Sequence, residues 1–141
     1  MRELFPNPGV IPTLPPPDSG ERVIIRVSGL PPYKDLSFSI RNPSHPNYAA
    51  FVELRNEAIK VMGSRTWYDG AIKLNLTLNA PTLDRNLSNY VGGIEDTLDG
   101  SHGMTFTYLP IVFQDDCQVC SIEAKFVKTD KTGYIIEIEF V

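Results

Sequence analysis

Two acidic stretches hold the side chains of this 141-residue chain whose types and spacing could do chemistry. The first runs Asp84-Arg85-Asn86-Leu87-Ser88-Asn89 and continues through Gly92, Glu95 and Asp96 to Asp99-Gly100. The second is Gln114-Asp115-Asp116-Cys117-Gln118-Val119. Carboxylate oxygens are the hard ligands that hold magnesium, and an ion so held polarises a phosphate and activates water. Two acids one residue apart at a strand-to-helix junction can converge on one ion, and a third from a neighbouring strand completes the set. Here the junction carries an amide and a hydroxyl, Asn86 and Ser88, with Asp84 two residues ahead and pointing the same way if the segment is extended. Asn86 and Ser88 are equally the residue types that cap a helix N-terminus, where their side-chain oxygens accept the first free amides.

Laid together, Arg85-Asn86-Leu87-Ser88-Asn89, Asp96-Thr97-Leu98-Asp99-Gly100 and Asp115-Asp116-Cys117-Gln118 resemble the RusA family of Holliday junction resolvases. The family pattern reads roughly Arg-Asp-Leu-Asp-Asn, a Lys three residues on, Asp-x-Leu-x-Gly, and later Asp-Asp-x-Gln. Asn89, Asp96, Leu98, Gly100, Asp115, Asp116 and Gln118 match; the two motif acids fall on Asn86 and Ser88, and the Lys on Gly92. The resemblance implies catalytic positions at Asn86, Ser88, Gly92, Asp115 and Asp116, with Mg2+ as cofactor. It also implies branched DNA as partner, a homodimer, and a cytoplasmic role in DNA recombination or repair. Replacing carboxylates changes that expectation. At an effective dielectric near 20, each carboxylate about 4 Å from another unit charge contributes on the order of 4 kcal/mol before desolvation. With two carboxylates and the Lys absent, magnesium binding is expected to be weak or lost and cleavage impaired.

Two other readings stand beside that degenerate resolvase. One is an active endonuclease with a shifted metal site built from Asp84, Asp115 and Asp116. The other is a non-catalytic structural or protein-binding module, whose Pro-rich arm docks on a partner.

The formal net charge of −4 and the scatter of Lys and Arg along the chain do not point to a phosphate-binding patch. No run of about 18 apolar residues is present, so no membrane span is expected. The N-terminal residues Met1 to Pro6 lack the apolar core of a secretory signal. Cys117 and Cys120 form a lone Cys-x-x-Cys, which His45 and His102 do not extend into a zinc site. The pair is read as two small, buried or half-buried residues at the start of a strand.

The elements that must position these groups follow from hydrophobic periodicity. Residues 1–20 hold half of the 12 prolines and form an extended or mobile arm; residues 21–141 form one domain. Residues 21–27 are short and β-branched, a strand, and a Pro-broken loop runs from Leu30 to Pro46. Tyr48, Phe51, Val52, Leu54, Ala58, Ile59 and Met62 recur at helical spacing up to Gly63, a core-facing stripe. Residues 71–78 alternate with period two, a strand with one buried face ending at Ala80-Pro81. The motif segment forms a helix over 87–98, and Gly92-Gly93 inside it costs about 1 kcal/mol per Gly. That cost marks either a tolerated loss or a place where something approaches the backbone closely. After a turn at Asp99 to Gly103 and a short extended segment over 108–113, residues 119–128 and 134–141 read as a hairpin-like strand pair. The sum is an α+β domain, one small mixed β-sheet packed against two helices.

Overall fold

The computed structural model describes residues 11–33, 47–99 and 109–141. Residues 1–10 of the arm, the loop over 34–46, the turn over 100–103 and Tyr108 lie outside the described residues. The fold is α+β: strand β1 (Arg22–Ser28), helix α1 (Tyr48–Met62), strand β2 (Ile72–Ala80), helix α2 (Leu87–Leu98), a 3-10 turn (Asp116–Gln118), and strands β3 (Val119–Lys128) and β4 (Gly133–Phe140).

The four strands form one mixed sheet in the order β1-β4-β2-β3. Strand β4 is antiparallel to both β1 and β2, whereas β2 and β3 are parallel. The pleat sorts the side chains. Val23 and Ile25 of β1, Leu74, Leu76 and Leu78 of β2, and Tyr134, Ile136, Ile138 and Phe140 of β4 turn to one face and are buried. Arg22, Ile24, Arg26, Lys73 and Asn75 turn to the other face and are exposed. Both helices cover the buried face. Leu54, Ala58 and Met62 of α1 join Tyr90, Val91, Ile94 and Leu98 of α2 in the main core, with Ile59 partly buried against it. Tyr48, Phe51 and Val52 form a smaller cluster at the start of α1. The expected core-facing stripe of this helix is therefore present but divided. Gly63 ends α1 at φ 62°, a conformation that side chains with a Cβ disfavour, and its N–H closes on the Ile59 carbonyl at 2.9 Å.

The last two strands are not a hairpin. Strand β2 lies between β3 and β4, so the connection after Lys128 crosses the end of β2, where the Thr129 N–H donates to the Ala80 carbonyl. The physical reason lies in the side chains. Strands β2 and β4 each bury one complete face and so belong in the middle. Strand β3 carries Glu123, Lys125 and Lys128 with exposed Ile122 and Val127, the composition of an edge.

Gly93 answers the question raised by the paired glycines. A Cβ at this position would fall on the Pro32 carbonyl and within 2.8 Å of the Tyr33 Cα, so the chain after β1 lies directly on the α2 backbone. The segment from Ile111 to Phe113, expected to be extended, is anchored at both ends. Ile111 and Val112 donate to the Leu98 carbonyl, the Val112 carbonyl accepts from the Tyr68 N–H, and Phe113 bridges to Tyr68. Residues 11–20 of the Pro-rich arm are held against the domain: Leu14 bridges Arg65, Thr66 donates to the Leu14 carbonyl, and Pro17 is buried.

Candidate functional site

The α2 N-terminus forms one half of the motif. Strand β2 ends at Ala80, Pro81 interrupts pairing, and the exposed residues 81–86 lead into the helix. Asn86 occupies the N-cap position with extended backbone (φ −63°, ψ 141°), but its side chain makes no capping hydrogen bond. The capping role expected of Asn86 is thus filled in position and not in hydrogen bonding. Ser88, one residue into the helix, is exposed, and Gly92 is half-buried in the following turn. Asp84 is exposed. Arg85 lies over the Tyr33 ring, its guanidinium carbon 3.5 Å from the centroid, and the Tyr33 N–H donates to Asn47 Oδ1 at 2.9 Å. This stack ties the α2 entry to the N-terminus of α1. Tyr90 sits beneath it, and burial pushes its phenol up, partly countered by the Arg85 charge. Sequence periodicity carried no sign of the Tyr33–Arg85 stack, because it joins residues far apart in the chain.

The Asp115–Gln118 half is a compact turn. Asp115 caps it by accepting the Cys117 N–H at 3.0 Å, and the Gln118 side-chain oxygen accepts the Asp115 N–H at 2.9 Å, a reciprocal capping box. The same Gln118 oxygen accepts from the Gln114 N–H at 2.9 Å, and its amide nitrogen donates to the carbonyls of Tyr68 and Gly70, each at 2.8 Å. All four bonds of one amide therefore clamp the turn to the chain entering β2. Gln118 is therefore an architectural residue of this turn. Gln118→Ala is expected to cost about 2–3 kcal/mol, because it leaves two carbonyls and two N–H groups without their partner. Chemical denaturation measures it, and an unchanged midpoint would contradict the clamp.

The cysteines depart from expectation. Both are exposed, not buried, and only Cys120 lies in a strand; Cys117 belongs to the 3-10 turn. The register between β2 and β3 shifts at Ile72/Lys73, where Ile72 pairs with Val119 and Lys73 with Ser121. Cys120 is the extra residue of that irregularity, and its thiol donates to the Ile72 carbonyl at 3.2 Å. The Asp115 carboxylate, hydrogen-bonded to the Cys117 thiol and repelling its anion, pushes that thiol up. A thiol held protonated is a poor nucleophile and a poor metal ligand.

The two halves of the motif lie at opposite ends of the parallel β2–β3 pair. Val119 pairs with Ile72 at the start of β2, and Lys128 with Ala80 at its end. Asp115 and Asp116 precede Val119 and sit beside the entry to β2. Asp84, Asn86 and Ser88 follow Ala80 and belong to the exit. Helix α2 runs back toward the entry, Leu98 meeting Ile111 and Val112, so its N-terminus stands away by the helix length, about 18 Å at 1.5 Å per residue. Within one chain, the structure brings Asp115 and Asp116 together, and Asp84, Asn86 and Ser88 together, but not the two groups.

That placement decides the fit of a magnesium ion. Magnesium demands a tight octahedron of oxygens, ordinarily with one or more carboxylates and several waters. Beside Asn86 and Ser88 the chain carries the exposed Asp84, and at the other end Asp115 accepts the Cys117 N–H of its turn. Among the described residues, no group of three or more His, Cys, Asp or Glu side chains could hold a metal ion. Within one chain, the described residues do not bring together the motif acids that the resemblance would place around one ion. In comparisons with known proteins, the chain matches no family model and no curated protein. No described helix is long and apolar enough to cross a membrane.

Proposed function

We propose that this chain is a RusA-like domain of nuclease ancestry that has lost metal-dependent cleavage. Its remaining role in this reading is recognition of branched DNA, as a homodimer. One observation carries the proposal: an amide and a hydroxyl, Asn86 and Ser88, occupy the α2 entry, a glycine, Gly92, follows inside the helix, and the acids Asp115 and Asp116 lie at the far end of β2. Support for a remaining DNA contact comes from the β2 exit. The N-terminus of α2, without a side-chain cap, and the Arg85 side chain lie there, with Lys128 at the end of β3 and Lys131 in the β3–β4 connection that crosses Ala80.

A second reading, a non-catalytic protein-binding module, is favoured by the way other cations are used. Arg22 pairs with Glu137 and Glu139, Arg65 with Glu21, Lys60 with Glu57, and Arg55 is buried. The shifted endonuclease site would need Asp84 beside Asp115 and Asp116, and the fold of one chain separates them.

The test uses a four-way DNA junction with magnesium or manganese. The expected result is no cleavage above background, with junction binding that weakens as salt rises. Turnover abolished by Asp115→Asn or Asp116→Asn would overturn the loss of cleavage. Salt-independent or absent junction binding would favour the protein-binding module. The triple replacement Asn86→Asp, Ser88→Asp, Gly92→Lys asks whether only the site decayed: recovered cleavage would assign the loss to those three positions.

A further inference from the structure

Among the described residues the sheet has two free edges, the outer sides of β1 and β3. Along an edge strand alternate residues leave their N–H and C=O unpaired, a row that another strand can complete. From Ser121 to Lys128, β3 pairs with β2 without a break, the register shift lying ahead of this stretch at Ile72/Lys73. Its outer edge is therefore regular. Two rows of side chains stand beside it. Ile122, Ala124 and Phe126 pair with the buried Leu74, Leu76 and Leu78 and lie on the helix-covered face. Ala124 and Phe126 are partly buried against the core, whereas Ile122 is 48 % exposed. Glu123 and Lys125 lie on the open face beside the neutral Asn75 and Thr77, and neither forms an ion pair or hydrogen bond.

The order of these side chains is self-complementary. A twofold axis perpendicular to the sheet would run two copies of β3 antiparallel and keep open face beside open face. Opposed side chains then share a face only if the axis passes through a residue position, since a one-residue slip turns every side chain over. With the axis at Ala124, Glu123 of each copy stands opposite Lys125 of the other, Ile122 opposite Phe126, and Ser121 opposite Val127. With the axis one residue earlier, Glu123 would face its own copy; one residue later, Lys125 would do so. Like charges directly opposite destabilise a strand pair, so the sequence singles out the Ala124 register among these three. The other free edge lacks this property. The charges of β1 are Arg22 and Arg26, with no acid between them, and Arg22 already pairs with Glu137 and Glu139.

We propose that the outer edge of β3 docks a second copy of this chain, joining two sheets edge to edge with Ala124 on the twofold axis. Main-chain hydrogen bonds supply the attachment, the two Glu123–Lys125 pairs set the register, and Phe126 of one copy covers Ile122 of the other. The inference rests on the homodimer of the preceding reading and names its contact surface; it needs neither DNA nor a metal ion. The opposed charges stay exposed to solvent and are screened by it, so the contact is expected to be weak and to dissociate at about 10–100 µM.

Sedimentation of the full chain between about 1 µM and 1 mM measures the dimer. Glu123→Lys and Lys125→Glu each set like charges opposite one another at two symmetric places, and each is expected to weaken dimerisation by about tenfold or more. Combining both substitutions exchanges the charges and makes the strand self-complementary again, so the parent affinity is expected to return. Both side chains are exposed, and circular dichroism is expected to stay that of the parent throughout. Cross-linking reads the register. In a Cys117→Ser, Cys120→Ser background, Ala124→Cys is expected to form an interchain disulfide, because residues directly opposite lie about 4.5–5.5 Å apart at Cα. Ser121→Cys in the same background is not, its two copies being about 20 Å apart along the strands. A dimer indifferent to either single charge change, a loss that the exchange does not restore, or a cross-link through position 121 and not 124 would overturn the β3 contact while leaving the homodimer reading in place. A chain that stays monomeric to about 1 mM would overturn both.

Discussion

Gly93→Ala is expected to destabilise the protein by about 3 kcal/mol or more, although alanine is the better helix former by about 1 kcal/mol in an exposed helix. The reversal comes from contact with backbone, not with side chains. A methyl group at Gly93 would meet the Pro32 carbonyl and approach the Tyr33 Cα to 2.8 Å. A side chain could rotate away from such a clash; a proline carbonyl held between β1 and the Tyr33 N–H···Asn47 bond cannot. Relief requires α2 to move off the segment 31–33, and that movement also pulls Arg85 from its stack on Tyr33. Urea denaturation followed by circular dichroism should show the midpoint falling with little change in slope. A variant as stable as the parent would mean that the close approach of these two backbones is not a feature of the folded protein.

Arg55→Ala is expected to cost about 3–5 kcal/mol, the range for removing one member of a buried polar network. Arg55 is 1 % exposed on α1, an extreme position for a guanidinium. It donates to the Leu109 carbonyl at 3.0 Å and, at the long limit of 3.5 Å, to the Thr97 carbonyl near the end of α2. The neighbourhood is polar and closed: Thr97 is buried, its hydroxyl donating to the Gly93 carbonyl at 2.8 Å, and Asp99 at the α2 C-cap is 2 % exposed. Truncation removes packing volume and leaves these acceptors without their donor. Arg55→Met fills much of the volume, and is expected to recover a substantial part of the loss. Equal stability of the Ala and Met variants would show that the hydrogen bonds outweigh packing here. An unchanged Ala variant would remove Arg55 as the tie between the two helices and the chain after residue 108.

Several elements were legible because their signals are local. The seven-residue strand β1, the stop of α1 at Gly63, the period-two alternation of β2 and the limits of α2 follow from nearest-neighbour patterns. The close approach at Gly93 was legible as a cost without a cause, since a mid-helix glycine pair is unfavourable unless another backbone needs the space. Of the candidate site, the composition of each motif half was readable, including the neutral side chains Asn86 and Ser88 at the helix entry. Gln118 was readable only as a motif position; its four-bond clamp needs Tyr68 and Gly70, which lie far earlier in the chain.

By itself the sequence determined an α+β domain with one sheet and two helices, and a motif region poor in metal-binding charge. Those properties depend on periodicity and on side-chain chemistry, which short windows of sequence contain. Only the tertiary structure decided the rest. It inserted β2 between β3 and β4, because two strands with one fully apolar face bury more in the centre than the charged β3 would. It put Asp115 and Asp116 at the entry of β2 and Asn86 and Ser88 beyond its exit, because parallel pairing of β2 with β3 requires α2 to carry the chain back along the sheet. It also exposed both cysteines by ending the 3-10 turn in a register shift. Pairing partners distant in sequence set each of these outcomes, through register and burial summed over the whole domain.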